Sequence, residues 1–488
     1  MSKWIKIFLI GLAMLLFTMN ISAKQEPVTI QMWDWFIVQS KFIDSELKLF
    51  EEKHPYIKVK RTKQIQQRYR DLVNFAFRSS TLPDLLAIPV DTRVDMMQAG
   101  YFYPLNKWMN RAIIKRFPKG AFMPGINIYN GNYYSFPVNS AEYWCQFYIN
   151  NEVFRQAGLV DKKGKVLYPK TWGEVYKYAK IITDKGTEAA KKGGQQFWGF
   201  GMFSKPEHLF PNFMYEWARV AGARGGNQEL HLGVDYKTGR YNFTEGDAFL
   251  KMFKFVLTLE DEQLMYPNGL SIDDETMRAA FADGRIGMIM GGSWVMNGWE
   301  TSHPDFKDYD VLMIPPYDEK GYSALCPVNI AGAWYGMGAN TKQPAAAWEL
   351  LEWFATPEFG ARYVRAGLGL SIFPSANVAA NAKTRQFGQY MEISAKYAMP
   401  GPSPHARNPQ LANVRMDPVM PNHLGVFWGI VSHQIPEGRI PNELKNLEDR
   451  LNKELERAFD EAIKKGYKVS LDDLKFPDWN PLKPYEQK

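Results

Sequence analysis

The chain has 488 residues, with 59 Lys and Arg against 52 Asp and Glu, a formal charge of +7. The positive balance is spread along the chain without a basic block, which argues against nucleic acid as a partner. No internal repeat, heptad run or low-complexity tract is present, so solenoids and coiled coils are excluded.

In chain order, Lys3 and Lys6 precede the apolar run Ile7 to Phe17, and Ile21-Ser22-Ala23 then supplies small residues before a polar stretch. This reads as a secretory signal peptide over 1–23, cleaved after Ala23; the run is short of the roughly 20 residues that span a bilayer. A mature chain of about 465 residues is long enough for two or three domains. Loss of Lys3 and Lys6 leaves it a charge of +5. Neither cysteine, Cys145 or Cys326, follows the expected cut. A lipid anchor is therefore not expected, and the mature chain is expected to be soluble in a periplasm. The two thiols read as small buried hydrophobes.

Val28 to Trp33 reads as a first strand, and Ile43, Leu47 and Phe50 recur at helical spacing before Pro55 stops that helix. Ile57-Lys58-Val59 makes a second strand and Leu85 to Ile88 a third, apolar enough for the middle of a sheet. Thr171-Trp172-Gly173-Glu174 fits a capping box opening a helix through Val175 and Ala179. Ile286 to Met290 and Val311 to Ile314 are further strands. Ala347, Trp348, Leu351 and Phe354 line one face of a helix, and Thr356-Pro357 caps the next. Leu447, Leu451, Leu455 and Ala462 mark a long amphipathic helix; from Phe476 onward an irregular tail is expected to lie over the surface. Strands alternating with helices make this a mixed α/β chain, with a largely parallel sheet covered on both faces.

Catalytic chemistry is not visible. The seven histidines are scattered without zinc-ligand spacing, and no phosphate-cradling glycine loop is present. Gly291-Gly292-Ser293-Trp294-Val295 approaches a nucleophile elbow but has Val295 where the final glycine is required. A glycosidase carboxylate pair is defined by a distance that a sequence does not carry. No catalytic residue, metal or cofactor is assigned. The 15 Trp, 25 Tyr and 31 Phe are abundant for a soluble chain and suit both core packing and stacking on sugar rings.

Six stretches in order carry a family resemblance. They are Val28 to Trp33 with Phe50 to Pro55 and Ile57 to Val59; Leu82-Pro83-Asp84-Leu85 with Gly100 to Leu105; Tyr133 to Pro137 leading to Tyr148 to Asn151; Pro169 to Glu174; Phe281 to Met288 ending in Gly292-Ser293-Trp294; and Ala345 to Glu358. In this order the chain resembles the extracellular solute-binding proteins of ABC transporters, the large family that includes maltose-binding protein. It departs from the family's pattern at Gly287, where alanine is usual, at Ile149, where tyrosine is usual, and in its extra sequence after Phe373.

The resemblance implies a two-lobed, class II-like periplasmic-binding-protein fold, with mixed sheets covered by helices and a hinge crossed several times by the chain. Lobe I is expected over 24–138 with a return segment over 331–372. Lobe II is expected over 139–330, with its C-terminal part and tail over 373–488. Ligands of open α/β sheets gather where loops leave the C-terminal ends of strands. The candidates there are Trp33, Asp34 and Trp35 after the first strand, Gln66 after the second, and Asp91 after the third. Asp91 reads equally as a helix cap. On the first crossover, alternation allows one of Glu142 and Tyr143 to face the ligand. Gly292 admits a close approach of ligand to backbone, and Trp294 is the leading stacking residue. Gly332 and Trp334 are expected at the cleft floor and wall. Trp217 ranks as core.

The function this implies is capture of a sugar or related polyol, mono- or oligosaccharide, by a monomeric periplasmic binder that delivers it to ABC permease subunits. Alternatives are a secreted carbohydrate hydrolase or lyase, and the same fold used for a non-sugar solute or for signalling.

Overall fold

The computed structural model describes residues 26–486, apart from 37–38, 90–91, 141, 206–208, 226–231, 320–325 and 329–332. The signal peptide, Asp91 and Gly332 lie outside the described residues, as do the side chains of Gln66 and Cys326. No helix among the described residues is long and apolar enough to cross a membrane.

Nine strands form the two principal sheets: β1 (Val28–Asp34), β2 (Ile57–Lys63), β3 (Leu85–Ala87), β4 (Ser135–Pro137), β5 (Cys145–Asn150), β6 (Trp198–Gly201), β7 (Ile286–Gly292), β8 (Tyr309–Leu312) and β9 (Ala333–Met337). The first sheet has the order β2-β1-β3-β9-β4, the second β8-β5-β7-β6. In the first, β2, β1 and β3 are parallel, whereas β9 runs antiparallel to β3 and to β4. In the second, β7 is antiparallel to β5 and parallel to β6. Both sheets are therefore mixed, and the expectation of a largely parallel sheet holds only for the first three strands. The remainder depends on strands far apart in sequence, so local patterning does not reveal it.

The local readings have physical counterparts. β1 buries Ile30, Met32 and Asp34 in alternation, and helix Ser40–Lys53 buries Ile43, Leu47 and Phe50 and stops at His54, before Pro55. Thr171 Oγ1 accepts the Glu174 amide at 3.3 Å. The reciprocal Glu174 carboxylate accepts from the Lys170 amide instead of the cap residue's own, so the expected capping box closes one residue early. Thr356 caps helix Pro357–Arg365 through the Phe359 amide. The long helix Ile440–Lys464 buries Leu447, Leu451, Leu455 and Ala462. The tail is irregular but docked: Phe476 and Trp479 are buried against Tyr236. Cys145 is buried in β5, and Trp217 is core.

The chain leaves the first sheet after β4 and enters the second at β5, then returns through β9. After helices Pro344–Phe354 and Pro357–Arg365 it crosses again, and helix Arg385–Tyr397 packs on β8. The first and last crossings pair as a short antiparallel ribbon. Ser140 donates its amide to the Leu370 carbonyl at 3.1 Å, and Ile372 to the Val138 carbonyl at 2.8 Å. This ribbon is the hinge between two bodies, here called lobes I and II.

Candidate functional site

At the lobe I end of the site, β1 delivers Asp34 into a buried ion pair. Arg61 of β2 donates Nε to Asp34 Oδ2 and Nη2 to Oδ1, both at 2.7 Å. Tyr335 Oη donates to Oδ2 at 2.8 Å and the Phe36 amide to Oδ1 at 3.0 Å. All four acceptor positions of the carboxylate are thereby occupied within the protein. Burial, and secondarily the Asp34 charge, hold the phenols of Tyr69 and Tyr335 well above their ordinary range. The pair pins the loop that carries the half-buried Trp35, whose ring meets Tyr69 at 4.7 Å and Phe36 at 5.0 Å between centroids. Trp33, also half-buried, stands on the opposite side of β1 from Asp34.

The hinge supplies the middle of the site. Trp334 is buried, with its ring near Phe36 and Tyr363, and donates Nε1 to Asn139 Oδ1 at 2.8 Å. Glu142 accepts a short hydrogen bond from Tyr390 Oη and another from the Leu370 amide. Burial raises the Glu142 carboxyl above the usual carboxylate range, and these two bonds only partly offset it. Tyr143, its neighbour, is fully buried in the core, with its amide donating to Ser394 Oγ at 3.1 Å. Gly369 has φ +154, and a Cβ there would stand 2.8 Å from Tyr363 Oη and 3.3 Å from the Glu142 carboxylate, so glycine alone fits beside this cluster.

Lobe II contributes a pair of indoles. β7 ends at Gly292, and Ser293 leads into helix Trp294–Ser302. The Trp294 ring folds back across Gly292 so closely that a Cβ on Gly292 would fall 2.0 Å from it. Trp294 lies nearly parallel to Trp144, at 6.4 Å between centroids and 16° between planes. Trp144 in turn donates Nε1 to Glu216 at 3.1 Å and packs on Phe213. Asp274 hydrogen-bonds the Trp294 side chain and pairs with Arg278 at 3.3 Å; burial raises its carboxyl, against the pull of Arg278.

These groups form one connected series. Trp35 touches Phe36, Phe36 touches Trp334, Trp334 bonds Asn139, and on the same crossover Glu142 bonds Tyr390. Tyr390 bonds Ser293, the residue before Trp294. The structure thus brings Trp35, Glu142, Gly292, Trp294 and Trp334 to the hinge level, while Asp34 and Tyr143 sit inside the supporting core. Asn139, Trp144, Asp274 and Tyr390 were not anticipated. Trp144 was within reach, since alternation along the crossover puts it on the same side as Glu142. Tyr390 lies in the extra sequence after Phe373 and gave no local signal. Among the described residues, no group of three or more His, Cys, Asp or Glu could hold a metal ion.

Residues 38–361 match the family model of bacterial extracellular solute-binding proteins. A binding protein of Brucella abortus is 22% identical over 366 residues, covering 74% of this chain and 80% of the relative. The sn-glycerol-3-phosphate-binding periplasmic protein UgpB of the same organism is 34% identical over 116 residues, 23% of this chain and 25% of that protein. Among solved structures, the GacH receptor of Streptomyces glaucescens, studied unliganded and with acarbose, superposes with a TM-score of 0.65 at 16% identity, covering 87% of this chain and 98% of that one. A solute-binding protein of Thermotoga lettingae bound with α-D-tagatose gives 0.62 at 20% identity, covering 88% and 99%.

Proposed function

The chain belongs to the bacterial extracellular solute-binding proteins, and we propose that it captures a neutral saccharide between its lobes and delivers it to an ABC permease from the periplasm. The observation that carries this reading is the parallel pair Trp144 and Trp294 at the end of β7, beside the hinge-level carboxyl of Glu142. Indole faces receive the C–H face of a pyranose, and carboxyl and amide groups around them accept and donate to its hydroxyls. The solved relatives with acarbose and tagatose are consistent with that ligand class. The family model matched over residues 38–361 is one of solute-binding proteins. This supports a binder over a secreted hydrolase or lyase.

Tryptophan fluorescence offers a direct test, because a ring stacked on Trp294 changes its environment. Titration with mono- and disaccharides is expected to give a saturable change with at least one sugar. Trp294→Ala is expected to weaken that binding by about tenfold or more, in line with loss of a buried aromatic contact. A saturable response that survives Trp294→Ala at full affinity would place the ligand elsewhere.

A further inference from the structure

Residues 404–416 lie beyond residues 38–361 that match the family, in the extra sequence after Phe373. They are anchored on lobe II. Leu411 and Val414 are buried and line one small space with Leu455, Phe459 and Leu474. Asn408 donates Nδ2 to Asp473 Oδ2 at 2.9 Å, and the Arg415 carbonyl accepts from Arg457 Nη2 at 3.0 Å. Helix Ile440–Lys464, which carries Leu455, Arg457 and Phe459, packs on helix His423–Val431 and through it on helices Leu209–Val220 and Ala248–Asp261.

The same segment crosses to lobe I at two places. At the first, Ala406 packs on Met123 and Ile126. The backbones approach closely there: Gly125 has φ +73, and a Cβ on it would stand 2.8 Å from the His405 carbonyl oxygen. The His405 imidazole is buried, and desolvation, followed by the charges of Arg93 and Arg415, lowers its pKa to about 4. It is therefore neutral at pH 7 and brings no buried charge to the contact. At the second place, the turn Pro409–Asn413 lies against helix Arg93–Ala99. Gln98 donates Nε2 to Asn413 Oδ1 at 2.6 Å, and Arg415 pairs with Asp95.

Neither place belongs to the hinge ribbon, whose hydrogen bonds join residues 138–140 and 370–372. A hinge rotation that carries helix Arg93–Ala99 away from lobe II has to part both contacts. The polar pairs are partly exposed and individually weak. The apolar and backbone contact around Gly125 is not screened by solvent, and one anchored segment makes all of them together.

We propose that residues 404–416 are an interlobe strap: fixed on lobe II, they hold lobe I at this separation through the protein's own groups, without a ligand. A strap that narrows the range of lobe separations leaves less conformational freedom for a ligand to remove on binding. The inference rests on the two-lobed fold and is independent of the saccharide reading.

Small-angle X-ray scattering of residues 24–488 with no sugar present tests it. The double variant Asp95→Ala/Gln98→Ala removes the polar contacts, and Ala406→Asp sets a charge against Met123 and Ile126. In both, the radius of gyration is expected to rise above the parent's while circular dichroism stays unchanged. Amides of residues 404–416 are expected to exchange about fivefold faster, the worth of one ordinary hydrogen bond. Gln98 is exposed and Asp95 half-buried, so the double variant carries the test even where Ala406→Asp fails to fold. A radius equal to or smaller than the parent's in the double variant overturns the strap.

Discussion

At the scale of single residues, Asp34 and Glu142 are two carboxyl groups at one site in opposite circumstances. Asp34 is buried but bidentately paired with Arg61, whose side chain is only 5% exposed. Arg61→Ala would strand that charge in the core, and breaking a buried pair costs about 3–5 kcal/mol. Thermal unfolding should show this as a large fall in melting temperature, whereas a change within error would mean that the pair contributes nothing. Glu142 has no cationic partner among the causes of its shift, and burial raises its folded pKa above that of the unfolded chain. The native state then holds this proton more tightly, so the Glu142 contribution is favourable at low pH and is lost as pH rises through the folded pKa. Glu142→Gln, which still accepts from Tyr390, should therefore melt higher than the parent at pH 7. That gain should shrink toward zero below the ordinary glutamate pKa of about 4.3. A gain constant across pH would refute this assignment. The sequence displayed a carboxylate between two tryptophans at Asp34, but not that Arg61 on the neighbouring strand fills it. That partnership depends on register, not composition.

At the scale of elements, the end of β7 is the most constrained part of the site. Trp294 keeps its place because Gly292 has no side chain. Gly292→Ala should displace the indole and lower ligand affinity by about tenfold or more, much as removing the ring would. Circular dichroism should remain that of the parent, and affinity equal to the parent's would show that the close approach is irrelevant. Elements with strong periodicity or caps were legible in the sequence. β1, helix Ser40–Lys53, the Thr171 and Thr356 caps and helix Ile440–Lys464 all follow from local chemistry. The direction of β9 was not, because it is set by a chain returning across the hinge to pair between β3 and β4. The same holds for Tyr390, brought to Glu142 by a helix nearly 250 residues further on.

At the scale of the molecule, two mixed sheets flank a hinge ribbon, and the aromatic and polar groups of the candidate site run from β1 through that ribbon to β7. The ordered series of motifs made the family legible because each motif marks a junction where the chain must turn or cross. The candidate site was less legible, because its groups come from both lobes and the crossovers, and no single stretch holds the pattern. A binder with this architecture gains stability with the logarithm of ligand concentration above its dissociation constant and leaves its ligand chemically unchanged.

Thermal unfolding of residues 24–488 in the presence of mono-, di- and oligosaccharides tests that claim most directly. A cognate sugar at one hundred times its dissociation constant should stabilise the fold by about 2.7 kcal/mol, a rise of a few degrees, and should be recovered intact. No shift with any saccharide, or consumption of the sugar during the measurement, would contradict the account.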